Sequence, residues 1–202
     1  MRELLLPHEY SADTKTVLVV GYVDLALEYH KAIWVLKDSK LYGAAFALVR
    51  PVFDAWMRAL WINAIATAEQ IEQARRDELH WPKMDKMLAD IKEVYFGHAE
   101  QDAEFAAVVE RFFQFLTPLW RVLSGYAHPG ARQLARRFTG AQVKASYTEQ
   151  EIKQALNLST MALMLMMRAF FMSMSKQAEA DEVETLLTQY FAEFNERLNK
   201  DQ

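Results

Sequence analysis

The spacing of apolar residues constrains the fold of this chain more than any other feature of its sequence. Apolar side chains recur every three or four positions almost throughout, as at Val19, Val23 and Leu27, whereas the two-residue alternation of strands is rare. No stretch rich in Pro, Gly or Ser interrupts the pattern. The sequence therefore predicts an all-α, single-domain helical bundle that spans residues 1–202.

Capping and chain-break signals divide this pattern into helices. Thr148 and Glu151 have the spacing of a capping box, and Pro82 suits a first helical turn. Pro51 and Pro118 fall inside helical stretches and predict a kink or a local break in two central helices, which can open a cavity. The predicted helices cover residues 13–38, 40–68, 82–96, 101–126, 129–138, 148–178 and 181–199.

The composition of the chain restricts its possible chemistry and predicts where the protein is located. There is no cysteine, so disulfides, thiolate metal sites and cysteine nucleophiles are excluded. The apolar run at the N-terminus is too short for a signal peptide, and we expect a cytoplasmic protein. The most apolar segment, Met161–Met174, is shorter than the roughly 20 residues of a membrane-spanning helix and contains Arg168, so we interpret it as a buried core helix with no membrane role.

A stripe of charge crosses the predicted central helix. Arg50, Asp54 and Arg58 follow one another at four-residue spacing, so the carboxylate can pair with both guanidinium groups. One interpretation is a structural ladder of ion pairs. The other is that one arginine remains after pairing and faces a cavity that binds an anion.

The charge of −4 is distributed unevenly along the chain. The 38 residues from Arg111 to Thr148 contain six cations and no Asp or Glu, which leaves −10 for the remainder. Such a window predicts a local basic face that attracts phosphate, while the acidic remainder suppresses promiscuous nucleic-acid binding. The alternative is that these cations form an ordinary solvent-exposed surface, or that they neutralise acidic neighbours such as Glu149 and Glu151.

The basic window contains the best candidate for a chemical centre. Arg121 and His128 are seven residues apart, so on a continuous helix they share a face with a separation of about 10 Å along the axis. Ser124 and Gly125 lie between them on this face, and their small side chains leave a groove that fits a phosphodiester.

Pro129 then disfavours helical geometry at His128, so the residue is expected near the start of a new helix, where the helix dipole favours an anion and a neutral imidazole. A neutral imidazole suits a general base. Arg132 and Arg136 share a face that guides a polyanion, and Tyr126 offers a ring for base stacking. The alternative for His128 is a capping or partly buried histidine.

These residues carry a resemblance to a known superfamily. An arginine followed by six residues and a histidine in an all-helical domain resembles the HEPN motif. More narrowly, residues 124–130 with Gln133 and Arg136-Arg137, together with residues 48–54, are similar to a group of bacterial HEPN-like proteins. The resemblance implies a metal-independent, cofactor-free endoribonuclease of a toxin or defence system, in which the ribose 2′-hydroxyl attacks the adjacent phosphate. It assigns proton transfer to His128 and transition-state stabilisation to Arg121.

The resemblance also implies partners: a homodimer whose two motifs meet, RNA or a nucleotide, and an antitoxin-type protein. The competing hypothesis is a noncatalytic module that binds a ligand or a partner, with a cavity lined by Arg50, Arg58 and Arg121. Val122, where the superfamily often has a polar residue, favours this second hypothesis. No metal site is expected, because the remaining histidines lack the paired spacing of zinc or di-iron proteins.

Overall fold

The computed structural model describes residues 9–97, 103–127, 131–143 and 145–200. Almost all regular structure in these ranges is helical, which confirms the all-α prediction. In chain order the elements are α1 (Thr14–Asp38), α2 (Tyr42–Ala64), α3 (Ala68–Arg75), α4 (Met84–Phe96), α5 (Ala103–Ala127), α6 (Ala131–Ala135), β1 (Phe138–Thr139), β2 (Gln142–Val143), α7 (Glu149–Ser173) and α8 (Gln177–Lys200).

Local capping interactions set where the helices begin. The Thr148 hydroxyl accepts a hydrogen bond from the Glu151 amide, and the Glu151 side chain bonds back to Thr148, which confirms the capping box at the start of α7. Thr67 and Gln70 form a second capping box that starts α3. This short helix was missed by the sequence analysis because none of its residues is buried and its apolar pattern is therefore weak.

The breaks that prolines suggested in the central helices are not seen. One helix continues through Pro51 in α2, and another through Pro118 in α5. A proline in a helix interior costs about 3 kcal/mol. We attribute the continuity of α2 to the burial of its apolar side chains on several sides, which more than offsets this cost.

The prediction of a helix over residues 129–138 is wrong in its second half. α6 ends at Ala135, and the chain then forms a two-stranded antiparallel hairpin in which Phe138 pairs with Val143. Gly140 adopts a φ of +61° in the turn of this hairpin, a conformation that glycine adopts without steric cost. The hairpin returns the chain so that the Ser146 amide donates to the Arg136 carbonyl.

α2 is the central helix of the bundle. It packs against α1, α4, α5 and α7, while α8 covers α7. Its buried side chains come from all around the helix, as its sequence predicted, and they join one apolar cluster with residues from the surrounding helices. The largest fully buried side chains of α2 are Phe53, Trp56, Leu60 and Ile62.

α7 is long and apolar enough to cross a membrane by length and composition alone. In this structure 72% of its most apolar window is buried within the protein, as in a core helix. Arg168, in the middle of the apolar run, forms an ion pair with Glu184 of α8. The charge is therefore neutralised inside the bundle.

Candidate functional site

A pocket of about 230 Å³ opens beside the middle of α2, and we call it the tryptophan pocket. Three elements surround it in addition to α2: the connection between α3 and α4, the start of α4, and α5. Its lining combines one carboxylate and one guanidinium with apolar and aromatic side chains. The lining residues are Asp54, Met57, Arg58, Trp81, Pro82, Met84, Met87 and Trp120.

The wall formed by Trp81 is held in place by other aromatic rings. Its ring centroid lies 6.3 Å from that of Tyr22 and 6.0 Å from that of Trp61, both in edge-to-face geometry. Such contacts stabilise ring pairs by about 0.5–1.5 kcal/mol beyond area burial. Asp77 at the end of α3 has a φ of +58°, and this turn directs the following chain toward the pocket.

Arg58 is fixed by aromatic rings. Its guanidinium carbon lies 4.6 Å from the Trp81 ring centroid and 6.0 Å from that of Tyr22. Among the described carboxylates none forms a salt bridge with it, although Asp54 acts on it electrostatically. The cation–π contacts hold the guanidinium at the pocket and provide no oxygen acceptor for its N–H groups.

The other two members of the charged stripe pair with each other. Arg50 Nε lies 3.5 Å from Asp54 Oδ2, and the Arg50 guanidinium carbon lies 4.9 Å from the Trp120 ring centroid. Burial raises the pKa of Asp54, and the positive charges of Arg50 and Arg58 oppose this effect. The stripe therefore consists of an ion pair next to an arginine that lines the pocket.

The middle of the basic window is tied to α2. The Gln133 side-chain amide donates to the carbonyl of Gly43, at 2.9 Å, and to that of Tyr126, at 2.8 Å. A Cβ at position 43 would lie 2.6 Å from a guanidinium nitrogen of Arg137, so glycine permits the close approach of this segment. These contacts clamp α6 against the end of α5 and the start of α2.

Several candidate residues of the window have structural partners. Arg136 pairs with Glu151, donates to the Ser146 carbonyl at 3.0 Å and lies over the Tyr147 ring. A hydrogen bond with the side chain of Tyr126 raises the pKa of Arg136. These contacts match the interpretation that the window neutralises acidic neighbours, at least for this arginine.

Two further candidates also face inward. The Tyr126 ring is 8% exposed and packs 5.1 Å from the Phe46 ring, so it is not available for base stacking in this structure. The Ser124 hydroxyl donates to the Trp120 carbonyl one turn earlier, at 2.8 Å. Both side chains stabilise the last turns of α5.

The proposed catalytic pair falls largely outside the described part of the chain. α5 includes Arg121 and α6 includes Arg132, but their side chains are outside the described part, and His128 lies between the described ranges. The shared groove between Arg121 and His128 therefore stays a prediction. α5 continues to Ala127, the last described residue before His128.

The structure reveals one titratable site that the sequence analysis did not find. The Trp34 indole donates to His30 Nε2, at 3.2 Å, which leaves the proton on His30 Nδ1 to reach Ser159 Oγ at 3.1 Å. Burial lowers the pKa of His30 to about 4. This site could not be predicted from the sequence, because the partner of His30, Ser159, is 129 residues away along the chain.

The described residues contain no group of three or more His, Asp or Glu side chains that could hold a metal ion. The tryptophan pocket itself offers aromatic faces, one guanidinium and one carboxylate.

A family model described as a family of unknown function, DUF6988, matches residues 23–196 of this chain. The chain belongs to this family. The DUF6988 match includes every residue that lines the tryptophan pocket, as well as Arg121 and His128. No curated protein and no solved structure matches the chain significantly.

Of the lining residues, the sequence analysis singled out Asp54 and Arg58 as members of the charged stripe and assigned only Arg58 to a cavity wall. The aromatic walls were missed. Trp81 stands directly before Pro82 at a predicted helix start, a position typical of an apolar residue that packs on the helix it precedes. Trp120 lies one residue before Arg121. Trp120 is thus adjacent in sequence to a charged candidate, whereas no charged candidate flanks Trp81.

Proposed function

We propose that this DUF6988 protein is a noncatalytic ligand-binding helical module, whose ligand occupies the tryptophan pocket. The observation that carries the proposal is the convergence of Arg58 and Asp54 with the rings of Trp81 and Trp120 around one opening. Mostly apolar walls with a few placed polar groups are the usual composition of a small-molecule site.

The pocket volume bounds the ligand. At about 30 Å³ per water molecule, 230 Å³ corresponds to roughly eight waters, so the enclosed part of a ligand has on the order of ten non-hydrogen atoms. This is below the range of about 300–1,000 Å³ for drug-sized ligands. A single ring system with one polar substituent fits this bound.

A fragment screen tests the proposal. Fragments of about ten non-hydrogen atoms, chosen without regard to charge, are screened by saturation-transfer NMR against the wild type and Met84→Trp, which fills the pocket with an indole ring. Met172→Trp, at an exposed position of α7 that does not line the pocket, is the matched control. Circular dichroism checks that all three proteins fold.

We expect fragments to bind the wild type and Met172→Trp and to lose binding to Met84→Trp. The absence of any bound fragment, or equal binding by Met84→Trp, would contradict the proposal.

The HEPN-type function is the second candidate, and the clamp formed by Gln133 favours it. Gln133 of α6 donates to the Tyr126 carbonyl near the end of α5 and to the Gly43 carbonyl of α2, so it links the described segments on either side of His128 to the central helix. A general base requires such fixed positioning. In this proposal a cytoplasmic homodimer binds RNA through Arg121 and His128 and cleaves it without metal, under control of an antitoxin-type partner.

RNA cleavage in the presence of a chelator tests this second candidate. The wild type, Arg121→Ala and His128→Ala are compared, with Arg111→Ala as a control that removes one cation from the same window. Cleavage that is lost in the first two variants and kept in the control supports it. Equal behaviour of all four proteins contradicts it.

A further inference from the structure

We infer that the tryptophan pocket selects a planar aromatic carboxylate, with the ring against the tryptophans and the carboxylate on the Arg58 guanidinium. This inference rests on the proposed binding function and adds the chemical class of the ligand. It follows from the charges, the geometry and the shape of the described pocket residues.

The charges at the tryptophan pocket favour an anionic ligand. The stripe along α2 contains two guanidinium groups and one carboxylate, so its formal charge is +1 when all three are ionised. Asp54 pairs with Arg50 at 3.5 Å, whereas no described carboxylate forms a salt bridge with Arg58. An anionic group on the ligand would supply the partner that Arg58 lacks within the described protein.

The geometry of Arg58 favours a carboxylate in particular. The Trp81 ring centroid lies 4.6 Å from its guanidinium carbon, and this contact holds the group in place. The planar fork of N–H donors at the edge matches the two oxygens of a carboxylate, which binds in a bidentate manner. Because Trp81 already fixes the guanidinium, little side-chain entropy is lost on binding.

The remaining walls favour an aromatic ring. Trp81, Trp120 and three methionines line the pocket, and polarizable methionine side chains pack well against ring edges and faces. Aromatic rings stack on tryptophan at low conformational cost. A flexible aliphatic acid would fill the same volume but would lose more rotational freedom on binding.

A matched series of probes tests the inference by isothermal titration calorimetry. Indole-3-acetate, indole-3-acetamide and tryptamine share one ring system and differ in charge. Each is titrated into the wild type, Arg58→Gln, Arg58→Lys and Asp54→Asn. Arg111→Gln, an exposed arginine on α5 that does not line the pocket, controls for the loss of overall positive charge.

We expect the wild type to bind indole-3-acetate about tenfold more tightly than the amide, since a hydrogen bond to a charged group contributes that much. Arg58→Gln should abolish this preference, and Arg58→Lys, which keeps the charge but not the fork, should reduce it. Asp54→Asn should tighten binding of the carboxylate several-fold by removing a competing anion. Arg111→Gln should match the wild type.

Two results would overturn the inference. One is equal or tighter binding of the amide or of tryptamine. The other is the absence of binding by all three probes while neutral or cationic fragments bind in the pocket-filling screen. Both outcomes leave the proposed binding function standing, whereas a screen in which no fragment binds removes the binding function itself.

Discussion

Stability toward acid should depend on His30. The imidazole is held neutral between the Trp34 indole, which donates to Nε2, and Ser159, whose hydroxyl donates in turn to the Leu156 carbonyl. Protonation of Nε2 would place two donors against each other and would put a charge in a largely buried site. Burial accordingly lowers the pKa of His30 to about 4, from the ordinary value of 6.5.

The direction of the effect follows from linkage. Above pH 6.5 the ring is neutral in both the folded and the unfolded chain, so its full contribution to stability is present. Between pH 6.5 and about 4 the unfolded chain binds the proton and the folded chain does not, which lowers the free energy of unfolding by up to about 1.4 kcal/mol per pH unit. The loss by pH 4.5 is then roughly 2–3 kcal/mol.

Urea unfolding at pH 7.0, 6.0, 5.0 and 4.5 measures this loss. His30→Gln keeps an acceptor for Trp34 and a donor for Ser159 but cannot titrate, so its stability should fall less than that of the wild type by about 2 kcal/mol over this range. His80→Gln, at an exposed position, controls for the loss of an imidazole. Parallel curves for the wild type and His30→Gln would refute the reasoning.

Three further single substitutions and one double variant test the stabilising contacts of the bundle by urea unfolding at pH 7. Gln133→Ala removes two hydrogen bonds of the clamp and should cost about 2 kcal/mol, and an unchanged midpoint would show that the clamp contributes nothing. Glu184→Ala leaves the half-buried Arg168 without this partner and should cost about 2–3 kcal/mol, whereas Arg168→Met with Glu184→Leu should recover much of the loss. Thr148→Ala removes the α7 cap and should cost about 1 kcal/mol, while no loss would contradict the cap's role.

The sequence predicted the helices that bury apolar side chains or carry a capping signal, and it missed the elements that bury few side chains. The central position of α2 followed from its nearly continuous apolar surface, and the start of α7 followed from Thr148 and Glu151. α3 buries no side chain and so left no periodic signal. The end of α6 depends on long-range bonds of Arg136 and Ser146, which helical periodicity does not contain.

Only the arrangement of candidate residues within a single helix could be predicted from the sequence. The spacing of Arg50, Asp54 and Arg58 placed them on one stripe, but it did not show which arginine the carboxylate would pair with. That choice depends on Trp81 and Trp120, which come from other elements and contact the two guanidinium groups. Tertiary packing of this kind has no signature in local sequence.

The side-chain indole signals of ¹⁵N-labelled protein test the central claim most directly. The chain has five tryptophans, of which Trp81 and Trp120 line the pocket, while Trp34 is exposed and bonded to His30 on α1. On titration with unlabelled indole-3-acetate, the signals of Trp81 and Trp120 should shift in a saturable manner and that of Trp34 should stay in place. Unmoved signals from Trp81 and Trp120, or equal shifts of all five, would contradict the binding of an aromatic carboxylate in the tryptophan pocket.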